Sequence, residues 1–120
     1  MLNTHKLGEI GENLAIKFLE KNGYKILERN FRSKFGEIDI IAQDKNTLVF
    51  VEVKTRLNNK FGLAEEAITP WKIEKIIKAG EYYKLLHPKL PESLRIDAVC
   101  LNFSPFGNLE KIEIFKNISG

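Results

Sequence analysis

Cysteine occurs once in the 120 residues, at Cys100. That scarcity excludes a disulfide framework and any CxxC zinc knuckle. The thiol lies within Ile96-Asp97-Ala98-Val99-Cys100-Leu101, where it is expected to pack as a buried small hydrophobe. Histidine is nearly as rare: His5 and His87 stand far apart in sequence and are read as surface residues without a role. No apolar run approaches the roughly 20 residues that cross a bilayer, and Met1-Leu2-Asn3-Thr4-His5-Lys6 lacks a signal peptide's apolar core. A cytoplasmic protein with no membrane partner is therefore expected. The chain also lacks internal repeats, low-complexity tracts and linkers, so the expectation is one domain over residues 1–120. The formal net charge of +3 is compatible with an anionic partner but identifies none.

What is present is a regular alternation of patterns. Leu7, Ile10, Leu14, Phe18 and Leu19 recur at helical spacing up to Asn22-Gly23, which predicts a helix over Thr4–Lys21. Gly8 and Gly11 lie near its apolar stripe. Each costs about 1 kcal/mol relative to alanine in a helix interior, which points to close approach of a sheet or a ligand. Strands are predicted over Tyr24–Phe31, Glu37–Gln43 and Thr47–Thr55, with a basic turn at Arg32–Gly36 between the first two. The turn Asp44-Lys45-Asn46 joins the latter two as a hairpin. Arg56–Gly62 reads as a polar, mobile loop. Thr69-Pro70 supplies an N-cap followed by proline at the first helical position, opening a helix to about His87. Trp71, Ile73, Ile76, Ile77, Gly80 and Tyr83 are expected on its inner side. Strands over Leu94–Asn102 and Leu109–Phe115 complete the order α-β-β-β-α-β-β.

Two charges interrupt an otherwise apolar interior strand, Leu48-Val49-Phe50-Val51-Glu52-Val53-Lys54. Side chains alternate across a strand, so Glu52 and Lys54 share one face while Val49, Val51 and Val53 share the other. By the same rule Glu37, Asp39 and Ile41 share a face of the preceding strand. A two-residue turn at Lys45-Asn46 would set Asp39 opposite Glu52, with Cβ atoms about 4.5–5.5 Å apart, whereas an odd loop with a bulge would break that register. Two opposed carboxylates repel, and a divalent cation held between them removes the conflict. Hard oxygen donors and the lack of a His or Cys cluster favour Mg²⁺. Lys54 is placed to stabilise negative charge on a phosphate or to orient a hydrolytic water. A salt-bridged Asp-Lys-Glu cluster on a solvated sheet face is the competing explanation. On a helical wheel Glu12 borders the apolar stripe of the first helix, whereas Glu9 points away from it.

Asp39 followed by Glu52-Val53-Lys54 after a hairpin resembles the PD-(D/E)xK nuclease motif. More narrowly, Gly8-x-x-Gly11-Glu12, Gly36-Glu37-Ile38-Asp39-Ile40-Ile41-Ala42 and Val49-Phe50-Val51-Glu52-Val53-Lys54-Thr55-Arg56 resemble the YraN-type family of uncharacterised proteins. The similarity runs from the first helix through Arg95-x-Asp97. The position before Asp39 is Ile38, in place of the proline in the motif's name. The resemblance implies a restriction endonuclease-like three-layer α/β fold, with a central mixed five-stranded sheet flanked by helices, similar to archaeal Holliday-junction resolvases. It implies that Asp39, Glu52 and the backbone carbonyl of Val53 hold the metal. It further implies that Lys54 assists the attacking water and that Glu12 is the helix-one acid of resolvase-like members.

The resulting expectation is an endonuclease acting on DNA, with branched or flapped substrates and Mg²⁺ or Mn²⁺ as cofactor. Arg32, Lys34, Arg56 and Lys60 flank the hairpin ends as candidate phosphate contacts. Lys72, at the positive end of the long helix, is a stronger candidate. The alternative is a nucleic-acid-binding or adaptor domain that keeps the fold but does not cut. A homodimer would supply two sites for two strands.

Overall fold

A computed structural model describes residues 4–58 and 64–120. Helix α1 spans Thr4–Lys21 as its periodicity requires, and Gly23 ends it at φ 90°, which a side chain would resist. Strands β1 (Lys25–Ser33), β2 (Gly36–Asp44), β3 (Thr47–Leu57), β4 (Ser93–Phe103) and β5 (Leu109–Phe115) form one sheet in sequence order. β3 and β4 run parallel and the other neighbours antiparallel, so the sheet is mixed. The parallel pair needs a crossover, which helix α2 (Pro70–Leu86) supplies. The element order is the α-β-β-β-α-β-β expected from sequence.

α1 covers one face of the sheet, with Leu7, Ala15 and Leu19 packed on Ile40, Ala42, Val49, Val51, Val99 and Leu101. α2 covers the other, with Ile76, Ala79 and Tyr83 packed on Ile38, Ile41, Leu48, Phe50 and Ile96. The valines of β3 thus face α1 while Leu48 and Phe50 face α2, as alternation requires. Thr69 caps α2 by accepting the Lys72 N–H, and Pro70 opens it. Cys100 is buried, and burial pushes its thiol up to about 12.

Four expectations need correction. Trp71 and Ile77 do not face inward; they are 64% and 41% exposed. The buried stripe of α2 is Ile76, Ala79, Gly80 and Tyr83, and at about 100° per residue Trp71 lies about 140° and Ile77 about 100° from Ile76. Arg56 and Leu57 are not loop but extend β3 along β4, while residues 59–62 of the expected loop lie outside the described residues. A short 3₁₀ turn over Ala64–Ala67 follows, buried through Ala64, which gives too little periodicity to be read from sequence. His87 is not a free surface residue: its ring stacks on Tyr83 with centroids 4.0 Å apart.

The fourth correction matters most. Glu37, Asp39 and Ile41 do not share a face by simple alternation, because Ile38 and Ile41 pack on the α2 side while Ile40 packs on the α1 side. The break falls at Asp39. Opposite it in the β1–β2 ladder stands Asn30, between the pairs Arg29↔Ile40 and Phe31↔Ile38, with φ 55°. Asparagine tolerates this left-handed conformation better than most residues. β1 changes face at the same rung: Arg29 bonds Glu12 and Asn13 of α1, whereas Phe31 packs edge-on against Tyr83 of α2.

Candidate metal centre and nucleic-acid cleft

The β2–β3 ladder runs from Asp44↔Thr47 to Ile40↔Val51, the register set by the Lys45-Asn46 turn. The next rung would be Asp39 with Glu52. There the strands part, and the Asp39 side chain takes over: its Oδ2 accepts the Val53 N–H at 2.8 Å. Within a strand the N–H and C=O of one residue turn to the same edge, so the Val53 carbonyl also faces this opening. Asp39, Glu52 and Lys54 thus border one cleft where two neighbouring strands diverge, while the ladder stops one rung short of the Asp39–Glu52 pair expected from the turn.

Two clefts reach the opening. On the α1 side a cleft of about 580 Å³ is lined by Gly8, Glu12, Arg29, Asp39, Glu52 and Lys54 among others. On the α2 side a cleft of about 300 Å³ is lined by Glu37, Asp39, Glu52, Trp71, Lys72 and Lys75 among others. Of the two glycines of α1, Gly11 meets the close-approach expectation against the sheet, whereas a Cβ on Gly8 would have open space around it. A Cβ on Gly11 would collide with the Thr55 side chain of β3, and Gly8 borders the α1-side cleft.

The electrostatics are those of crowded acids. Burial, then the charge of Glu52, pushes the Asp39 carboxyl up to about 7; the Val53 N–H opposes this, and Glu12 and Glu37 add to it. Glu52 is raised as well, chiefly by burial, against the pull of Lys72 and Lys54. The Lys72 ammonium lies 3.8 Å from Glu52 Oε1. Lys54 is held below the usual lysine range by burial and by the neighbouring Lys72 amine.

This donor set fits a hard divalent cation. Asp39 uses one oxygen on Val53 and keeps lone pairs to spare, Glu52 offers a second carboxylate, and the Val53 carbonyl a third oxygen. A bound cation would offset the burial that raises both acids and the Glu52 charge that adds to it at Asp39. Among the described residues no group of three or more His, Cys, Asp and Glu side chains gathers into a ligand set, so a metal here would rely on Asp39, Glu52 and a backbone oxygen. Glu12 borders the same cleft, but its Oε1 is taken by Arg29 at 3.3 Å.

The basic candidates disperse. Arg32 is exposed and lies 3.8 Å from Glu37, and Lys34 sits over the Phe35 ring at 5.2 Å. Arg56 is half-buried on β3, its Nε buried without a hydrogen-bond partner. Lys60 lies outside the described residues. Lys72, expected at the helix start as a phosphate contact, is in addition an immediate neighbour of Glu52. Sequence reasoning missed Arg29, Glu37, Trp71 and Lys75 as cleft residues. The signal for Lys75 was available, one helical turn beyond Lys72; Arg29 was hidden by the irregular alternation of β1.

Comparison with known proteins places these features in a lineage. The chain is 44% identical over 117 residues to a UPF0102 protein of Caldicellulosiruptor bescii, covering 97% of this chain and 98% of that one. It is 43% identical over 116 residues to a UPF0102 protein of Geobacter metallireducens, covering 97% and 93%. A looser resemblance, with a TM-score of 0.41 and 16% identity, covers 97% of this chain and 64% of Pyrococcus furiosus SfsA, whose structure was solved in complex with Ca²⁺. The model of the Uncharacterised protein family UPF0102 matches residues 11–101, a span that takes in Glu12, Asp39, Glu52, Lys54 and Lys72. With that span matched and relatives aligned over nearly the whole chain, this protein belongs to UPF0102.

Proposed function

We propose that this protein is a cytoplasmic, divalent-metal-dependent endonuclease that hydrolyses phosphodiester bonds in DNA, with Mg²⁺ or Mn²⁺ as its ion. The observation that carries the reading is the pairing of Asp39 and Glu52 at the parting of β2 and β3, with the Lys54 amine beside them. Asp39, Glu52 and the Val53 carbonyl hold the ion. When bound, it supplies Lewis acidity toward a phosphoryl oxygen and makes water more acidic. Lys54 directs positive charge at the oxygens on which charge grows as the phosphorus is attacked. Lys72 offsets the charge of Glu52 and stands with the first-turn N–H groups of α2, which favour an anion. Arg29 and Arg32 line the α1-side cleft and are positioned for backbone phosphates.

A second reading, a nucleic-acid-binding domain that keeps this fold without cutting, is favoured by one observation: Glu12 is drawn to Arg29, and among the described residues no third side-chain acid gathers with the pair into a ligand set. Cleavage assays with Mg²⁺ or Mn²⁺ on duplex, single-stranded, flapped and four-way DNA separate the two. The nuclease reading expects cutting that falls roughly 100-fold or more in Lys54→Ala and Asp39→Asn. Pure protein inert on every substrate, or variants that cut as fast as wild type, would sink it. A homodimer would bring two such sites to two strands, and analytical ultracentrifugation reads that state directly.

A further inference from the structure

Trp71 is the only tryptophan in the chain, and 64% of it is exposed. Nothing in the packing of α2 requires a large aromatic there, since the buried stripe runs through Ile76, Ala79, Gly80 and Tyr83. The indole is nevertheless held in place: the Lys75 ammonium, one turn further along, sits 3.8 Å from the ring centroid. The ring also borders the α2-side cleft that contains Asp39 and Glu52, together with Lys72 and Lys75. A flat, largely open aromatic flanked by two lysines at a helix start therefore opens onto the carboxylate pair.

We infer that Trp71 is a stacking platform for an unpaired nucleobase of the substrate. The inference rests on the nuclease reading above and narrows it: the substrate carries single-stranded nucleotides beside the scissile phosphate, as a flap, a frayed end or an open junction arm does. Charge selects the occupant, because Lys72 and Lys75 suit a phosphate backbone and the ring suits a base. An intact duplex keeps its bases stacked on one another and offers the indole no face. Stacking is indifferent to base identity, so recognition here is of strandedness and not of sequence.

Because Trp71 is the sole tryptophan, its emission reports the contact directly. The full chain is titrated, with Ca²⁺ in place of Mg²⁺ to suppress turnover, with oligothymidylate of about 12 nucleotides and with the same oligomer annealed to its complement as a loop-free duplex. Quenching by the single strand and little by the duplex is the expected result. Anisotropy of a labelled oligothymidylate should show binding weakened roughly 5- to 100-fold in Trp71→Ala, and less than about 3-fold in Trp71→Phe, which keeps a ring. Thermal melting of both variants confirms that each is folded. Equal quenching by the loop-free duplex, no quenching at all, or wild-type affinity in a folded Trp71→Ala would overturn the platform; the last two outcomes would leave the ring to an apolar protein partner. The two readings fail separately. Selective quenching without cleavage of any substrate removes the nuclease and keeps the platform, while Asp39-dependent cleavage that ignores Trp71 does the reverse.

Discussion

At the scale of the residue, Asp39 carries the most unusual chemistry. Its carboxyl ionises near 7 in the folded protein because burial and Glu52 oppose the charge, whereas in the unfolded chain it ionises near the ordinary value of about 3.9. Between those values the native state binds more protons than the unfolded state, so this group favours folding most at low pH and loses that contribution as pH rises. Metal-free protein should therefore lose stability relative to Asp39→Asn as pH rises from about 4 to 7, as melting temperatures in EDTA would show. Under the proposed metal site, saturating Mg²⁺ should flatten the difference, because an ion held there would favour the deprotonated pair. Parallel melting curves for the two proteins across that window would refute the assignment. Adjacency of Asp39 and Glu52 was legible in sequence because turn length and a charge-interrupted apolar strand set it. The direction in which Asp39 turns was not, because alternation breaks at its rung, and one asparagine with φ 55° marks a break that pattern alone does not reveal.

At the scale of the element, α1 and β5 matched their expected spans because each has uninterrupted periodicity and a clear stop. The inner face of α2 was misjudged because its apolar residues surround much more of the wheel than the helix buries. What fixes its orientation is Gly80, where a Cβ would come within 2.6 Å of the Phe50 ring. Phe50 is 2% exposed and packed among Ile76, Ala79 and Tyr83. Gly80→Ala gains helix propensity of about 1 kcal/mol but overpacks this contact by about 1–3 kcal/mol. The expected net effect is destabilisation of up to about 2 kcal/mol, read as a lower urea midpoint with an unchanged slope. A more stable variant would mean that the helix shifts freely over the sheet.

At the scale of the whole molecule, the β2–β3 turn and its neighbours are tied by a polar network invisible to hydrophobic patterning. Asp97 is fully buried and accepts hydrogen bonds from Tyr24 Oη at 2.7 Å, Arg95 Nε at 2.8 Å and the Asn117 N–H at 2.9 Å. Arg95 in turn reaches Asp44 at the hairpin turn, at 2.8 Å. The network joins the approach to β1, the β2–β3 turn, β4 and the segment after β5. Sequence offered the Arg95-x-Asp97 spacing but not its partners, which are distant along the chain. Asp97→Ala leaves a guanidinium and a phenol without their acceptor and should cost about 3–5 kcal/mol, measurable by chemical denaturation. A loss below about 1 kcal/mol would mean that water replaces the carboxylate readily.

The rung of Asn30 and Asp39 also marks where the β1–β2 hairpin passes from one helix to the other. Beyond it the tip of the hairpin leans on α2, where Phe31 and Phe35 rest against Tyr82 with ring centroids 6.4 and 5.5 Å away. Seating of that tip would then govern, like a lever, the spacing of Asp39 from Glu52. Under the proposed metal site, trimming Phe35 to alanine, without altering any oxygen donor, should weaken Mg²⁺ binding in a calorimetric titration, and an unchanged affinity would refute the lever.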